Sequence, residues 1–362
     1  MTAAVDLVEA MAALVAFLLV LVVAARFARL VRARQRDARI APLRQELLAM
    51  IASEDLAALE GFRRLAPARW RLFEPSVLSL TAKLRGESQR ALITLCCELG
   101  TLERALSASR SARAARRAVA AEALGTIGTN EAVTRLSMLA RDRSAFVRAA
   151  AVRALGRSGR SAGVGPLIAA LEPGSGVPHR FVAQALLRLG EPSAPGLIAA
   201  LGHPHSEVRE RAAEILGLLG TRSAVPALLQ ACGSDVARAL RLHALRALGR
   251  LGAPQAFSVL CEAAEHGEDE DLRRLAVQAL GRLGHLGAVP ILAAVVATGP
   301  DRLAAIAAES LVALKAPGEA ALSELATSAC GPAQLHAKAA LVFAHRGERA
   351  GAPAGSELKA FS

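Results

Sequence analysis

The chain has 362 residues, 53% of them hydrophobic but only 3% aromatic, with no Tyr, one Trp and a formal net charge of +12. This Ala/Leu-rich mixture carries no alternating β-branched runs, which excludes a sheet-built architecture and leaves an all-α one. The cysteines, Cys96, Cys97, Cys232, Cys261 and Cys330, form no CxxC pair and sit among apolar residues, the pattern of buried thiols in a reducing compartment.

The first element is an apolar run from Ala10 to Ala25, bounded by Glu9 and Arg26. Sixteen residues of helix span about 24 Å, and Leu7, Val8, Phe27, Leu30 and Val31 extend the apolar character, so a single transmembrane helix over residues 1–30 is expected. Asp6 and Glu9 precede the run where a signal peptide would carry basic residues. Arg26, Arg29, Arg32, Arg34, Arg36 and Arg39 crowd its far side. The positive-inside rule then predicts a single-pass protein of the cytoplasmic membrane, N-terminus out, with these arginines on anionic lipid headgroups. Residues 31–42 read as a basic juxtamembrane stem.

From residue 43 to 347 one phrase recurs. AAEALGTIG ends at Gly128, AVRALGRSG at Gly159, VAQALLRLG at Gly190, AAEILGLLG at Gly220, LRALGRLG at Gly252 and VQALGRLG at Gly284. The steps are 31, 31, 30, 32 and 32 residues, the mark of a repeat architecture. Each unit reads as a helical hairpin. Segments such as VGPLIAAL, APGLIAAL, AVPALLQA and AVPILAAV place a proline in the first turn of a first helix, where its missing N–H costs nothing. A polar turn follows, then a second helix that the closing glycine caps. Neither helix could bury its apolar stripe alone, so the hairpins must stack, about eight to ten of them, into an α-solenoid.

These residues resemble the bacterial HEAT-like repeat family, in the short form also seen in phycobilin lyase relatives, well over 101–315 and loosely on either side. The resemblance implies protein binding or scaffolding more often than catalysis. Seven residues before the anchor leucine of successive repeats stand Arg117, Arg148, His179, Arg209, Arg241 and Arg273. That position resembles the family's structural ladder of basic residues between turns; a row of cations for an acidic partner is the alternative.

No catalytic, cofactor or metal site emerges. His203 and His205 flank Pro204 without a third ligand nearby, and the glycines fall at helix ends rather than in a phosphate loop. The acidic run 268–271 falls at a helix start, where carboxylates are favoured. Nucleic acid is disfavoured because the repeats hold few rings for bases to stack on. The expectation is a non-enzymatic, membrane-anchored scaffold whose repeats bind a membrane-associated protein, such as an accessory subunit of a membrane glycosyltransferase or envelope system. A lyase-like or chaperone-like ligand binder is the alternative. Residues 348–362 read as a disordered tail.

Overall fold

The computed structural model describes residues 2–53, 59–233, 236–267, 269–328 and 330–351, with side chains described for these apart from 2–16, 29, 32, 33, 36 and 345–351. Regular structure among the described residues is helical throughout. Two units are delimited, residues 1–127 and 128–362.

The first unit holds α1 (Thr2–Ser53), α2 (Leu59–Arg63), α3 (Pro67–Thr81), α4 (Gly86–Glu98), α5 (Thr101–Ala108) and α6 (Ala114–Ile127). Its core gathers aromatic side chains. Phe62 stacks on Phe73 at 5.9 Å between centroids, and Trp70 meets Phe73 edge-on at 6.2 Å. The indole N–H of Trp70 donates to the buried hydroxyl of Thr101 at 3.1 Å, the partner that a buried Trp needs. Ile40, Leu43, Leu47 and Met50 of α1 complete this core.

The expected membrane anchor is overturned. Among the described residues no helix is long and apolar enough to cross a membrane. The physical reason is the brevity of the apolar run. Its sixteen residues reach about 24 Å, short of a hydrocarbon core of about 30 Å, and Arg26 interrupts it. The single-pass, N-terminus-out placement falls with it, as does the case for an accessory subunit held in the membrane plane. Arg26, Arg34 and Arg39 are exposed on α1, whereas the side chains of Arg29, Arg32 and Arg36 lie outside the described residues. So do residues 352–362 of the expected tail.

In the second unit, first and second helices alternate. First helices are α7 (Asn130–Leu139), α9 (Val164–Ala169), α11 (Ala194–Ala200), α13 (Val225–Gln230), α15 (Phe257–His266), α17 (Ala288–Thr298) and α19 (Ala316–Ser328). Second helices are α8 (Ala145–Arg157), α10 (His179–Leu189), α12 (Ser206–Leu219), α14 (Arg238–Leu251), α16 (Glu270–Leu283), α18 (Asp301–Ala313) and α20 (Pro332–Gly351). The second helices pack side by side in chain order, and α9–α11, α15–α17 and α17–α19 do so among the first helices. Prolines open α11 and α13, each preceded by a single 3-10 turn. In α8 the stripe Val147, Ala150, Ala151, Ala154 and Leu155 is at most 1% exposed.

The closing glycines take left-handed φ values, between +57° at Gly252 and +77° at Gly220. In the C-terminal copy of the phrase Lys315 stands in that place, with φ +59°.

Not every repeat glycine is a cap. Gly156, Gly217, Gly249 and Gly281 follow the anchor leucine inside a second helix and are buried. A Cβ on Gly156 would stand 2.6 Å from the Ala185 Cα, and one on Gly249 2.6 Å from the Ala279 Cβ. The corresponding partner of Gly281 is Ser310, at 2.7 Å. The missing methyl therefore lets consecutive second helices approach closely, glycine of one against a small residue of the next. In α10 the position is Leu187 and its counterpart in α12 is Ile215. Here α10 and α12 touch over a much smaller stretch than their neighbours do.

Candidate interaction surface

Arginines at the start of the second helices clasp turns. Arg117 Nη1 donates to the carbonyls of Ser111 and Ala112, both at 2.9 Å. Arg148 Nη1 reaches those of Asp142 at 2.8 Å and Arg143 at 3.3 Å, and Arg209 Nη1 those of His203 at 2.7 Å and Pro204 at 2.9 Å. In each case the acceptors lie six and five residues earlier, in the turn between the helices of the same hairpin. Helix ends leave such carbonyls without intrahelical partners, and one planar guanidinium can serve two at once. Arg148 Nη2 also reaches Gly176 of the next turn at 3.4 Å. Arg273 bonds instead through Nε to Ala264, at 3.1 Å. Arg241 is half-buried and His179 exposed at the equivalent positions.

The acidic run is engaged by the preceding repeat. Asp269 caps α16 by accepting the Leu272 N–H at 2.9 Å, and Arg238 donates to Asp269 at 2.5 Å and Asp271 at 3.1 Å. That guanidinium holds the Asp269 carboxyl below the usual carboxylate range. Glu268 lies outside the described residues.

His203 and His205 form a turn, with His203 Nδ1 accepting the His205 N–H at 3.2 Å and His203 Nε2 3.6 Å from Glu172. Among the described residues no three His, Cys, Asp or Glu side chains could share a metal ion. All five cysteines are free thiols, and burial pushes Cys96 and Cys232 up to about 12, far from a reactive thiolate.

Two of the clefts that open on the second unit are large. One of about 1150 Å³ lies between α7, α9 and the turn after α9, lined by Met138, Arg141, Arg148, Pro166 and Glu172. The other, about 1080 Å³, lies between α18 and α20, with Ala305, Val312, His336, Ala340 and Phe343 on its walls.

The solvent face of the second helices carries a row that the sequence reading passed over. Two residues after the anchor leucine stand Arg157, Arg188, Arg250 and Arg282, with Leu218 between the pairs in α12. Arg188, Arg250 and Arg282 are exposed, and none has an acidic partner among the described residues. The signal in the sequence is the arginine that closes the LGR triplets at 155–157, 248–250 and 280–282, with Leu-Leu-Arg in the same place at 186–188. Nearby, the Phe181 ring lies under the guanidiniums of Arg153 at 5.8 Å and Arg180 at 5.0 Å.

The HEAT-repeat family matches residues 101–177, 164–245 and 234–313. The chain belongs to that family. No curated protein matches this HEAT-repeat chain. Among solved structures it is similar to the complex of CpcE and CpcF of phycocyanin lyase from Nostoc sp. PCC7120, at 25% identity and TM-score 0.31, over 67% of this chain and 94% of that one. Human deoxyhypusine hydroxylase matches at 21% identity and TM-score 0.30, over 68% and 96%. Kap121p matches at 15% and 0.49, over 82% of this chain and 39% of its own.

Proposed function

We propose that the chain is a non-catalytic scaffold or adaptor that holds a protein partner along the solvent face of its second helices. The observation that carries this is the side-by-side packing of α8 through α18, which lines up one exposed face per repeat. Extended surfaces of this kind are what stacked repeats use for binding. The turn-clasping arginines, in this reading, keep the hairpins in register and leave recognition to the exposed face.

The test is photo-crosslinking in cells from Gln184 and Gln278 on second helices, against Met138 on a first helix. A protein crosslinked from the second-helix sites, and not from Met138, is the expected result. Recovery of nucleic acid, or of no protein, sinks the proposal. A second reading, a ligand-binding HEAT protein, is favoured by the largely apolar cleft between α18 and α20, whose volume suits a small molecule. Loss of protein crosslinks together with copurification of a small molecule would select it.

A further inference from the structure

We infer that the cleft between α18 and α20 is an interface between two copies of this chain, each copy seating its α20 in the cleft of the other. The inference goes beyond the scaffold reading and does not depend on it.

The cleft starts from a departure in the repeat. Val312 follows the anchor Leu311 at the position where Gly156, Gly217, Gly249 and Gly281 let the next second helix approach. A side chain there holds α20 off, and α18 and α20 touch over a smaller stretch than α16 and α18 do. The gap is the cleft of about 1080 Å³, with Ala305 and Val312 on one wall and Ala339 and Phe343 on the other. The face of α20 beside it is apolar and open: Leu335 is 67%, Val342 53% and Phe343 81% exposed. Leu335, Ala339 and Phe343 recur every fourth residue, a ridge of the kind that packs into the groove between two helices. The small side chains of Ala305 and Ala339 let such a ridge come close. The cleft therefore suits a helix with a large-small-large stripe, and α20 itself carries one.

Charge favours a second copy as the source of that helix. From 303 to 345 the chain has no arginine, and its two lysines, Lys315 and Lys338, stand against Glu309, Glu319 and Glu324. A chain of net charge +12 repels its own copy over most approaches, but not over this stretch. Charge also sets the direction. Ala339 and Phe343 turn toward the cleft, whereas Lys338 is rotated about 100° from Ala339, toward the side of α20 away from α18. A twofold axis along the helices sets like residues at one height and places the two α18 helices on opposite sides of the α20 pair. Lys338 of each copy then faces the other's α18 wall, where Glu309 stands. Lys338 and Glu309 are both exposed, and neither has an ion-pair partner among the described residues. An antiparallel pair would drive the two α18 helices onto the same side and into collision.

The test is sedimentation equilibrium of the full chain, which should show a monomer–dimer equilibrium with a Kd of about micromolar. Leu335→Glu and Phe343→Glu should each weaken it by about tenfold or more. Both side chains are exposed, so folding should survive; circular dichroism checks it, and the alanine variant replaces any that unfolds. Lys338→Glu should weaken the dimer about threefold, and adding Glu309→Lys to the same chain should restore it. Ala339→Cys and Phe343→Cys, made with the exposed Cys330 changed to Ser, should each give a disulfide-linked dimer on mild oxidation. A chain that stays monomeric, a dimer indifferent to Phe343→Glu, or a charge-reversed double variant no better than Lys338→Glu overturns the inference. So does a monomer that copurifies with a small molecule or a foreign helix lost on Phe343→Glu. None of these results touches the scaffold reading, whose failure would show instead in the crosslinking from Gln184 and Gln278.

Discussion

A methyl group added to Gly217 would stand 2.7 Å from the Cα of Ala247 on the next second helix. The same relation joins Gly249 to Ala279, where the contact is chiefly methyl to methyl. Gly249→Ala sets a gain of about 1 kcal/mol in helix propensity against an overpacking cost of about 1–3 kcal/mol. The expected outcome in urea denaturation is net destabilisation, partly recovered by Ala279→Gly in the double variant. A single variant as stable as wild type would show that the seam has room to spare.

Lys315 tests the caps from the opposite side. A side chain at φ +59° carries left-handed strain that glycine does not. Lys315→Gly should raise stability by about 0.5–1 kcal/mol, and Gly284→Ala, at φ +71°, should lower it. An unchanged or lower denaturation midpoint for Lys315→Gly would contradict the assignment.

For the turn clasp, Arg209→Lys keeps the charge but loses the planar fork that reaches two carbonyls. A loss of about 1–2 kcal/mol is expected. If lysine matched arginine, charge rather than geometry would be what the position requires.

His243 predicts an acid response. Burial first, with Arg246 and Arg211 adding to it and Glu214 and Glu210 opposing, lowers its pKa, and Nδ1 is buried with no hydrogen-bond partner. The unfolded chain then takes up a proton at higher pH than the folded one. The stability of the neutral form is present above about pH 6.5 and is lost as pH falls below it. Melting curves between about pH 7 and 5 should drop less steeply for His243→Gln than for wild type. Parallel profiles would exclude His243 as the responsible group.

Truncation locates where α1 begins to support the first unit. Ile40 is its first residue in the described core, followed by Leu43, Leu47 and Met50. Removal of residues 1–38 should leave melting unchanged. Removal of 1–52 also deletes four buried side chains worth about 1.5–3 kcal/mol each, enough to unfold a marginally stable unit. Equal melting of the two truncations would show that α1 contributes nothing.

Much of this was legible because the chain states its pattern six times. The anchor leucines, prolines and closing glycines announced the hairpins without any tertiary information. The glycine after each leucine escaped, because a cap and a close approach use the same residue type and only the neighbouring helix tells them apart. The arginine row escaped because the equivalent place in α12 is Leu218, and a broken period reads as noise until the helices are laid side by side. The aromatic core around Trp70 gave no periodic cue, being assembled from side chains spread over four helices. The membrane reading failed on length: apolar character was plain from Ala10 to Ala25, but a span is a matter of ångströms.

The pair Leu187 and Ile215 has a mechanical side. Where every other rung from α8 to α18 is set by the absence of a methyl group, this one carries a large side chain at both positions. A rung of that kind cannot widen by degrees, since replacing one partner alone would leave either a collision or a void. Variation in this array is therefore quantised, and a load applied along it would concentrate its bending at the one joint between α10 and α12.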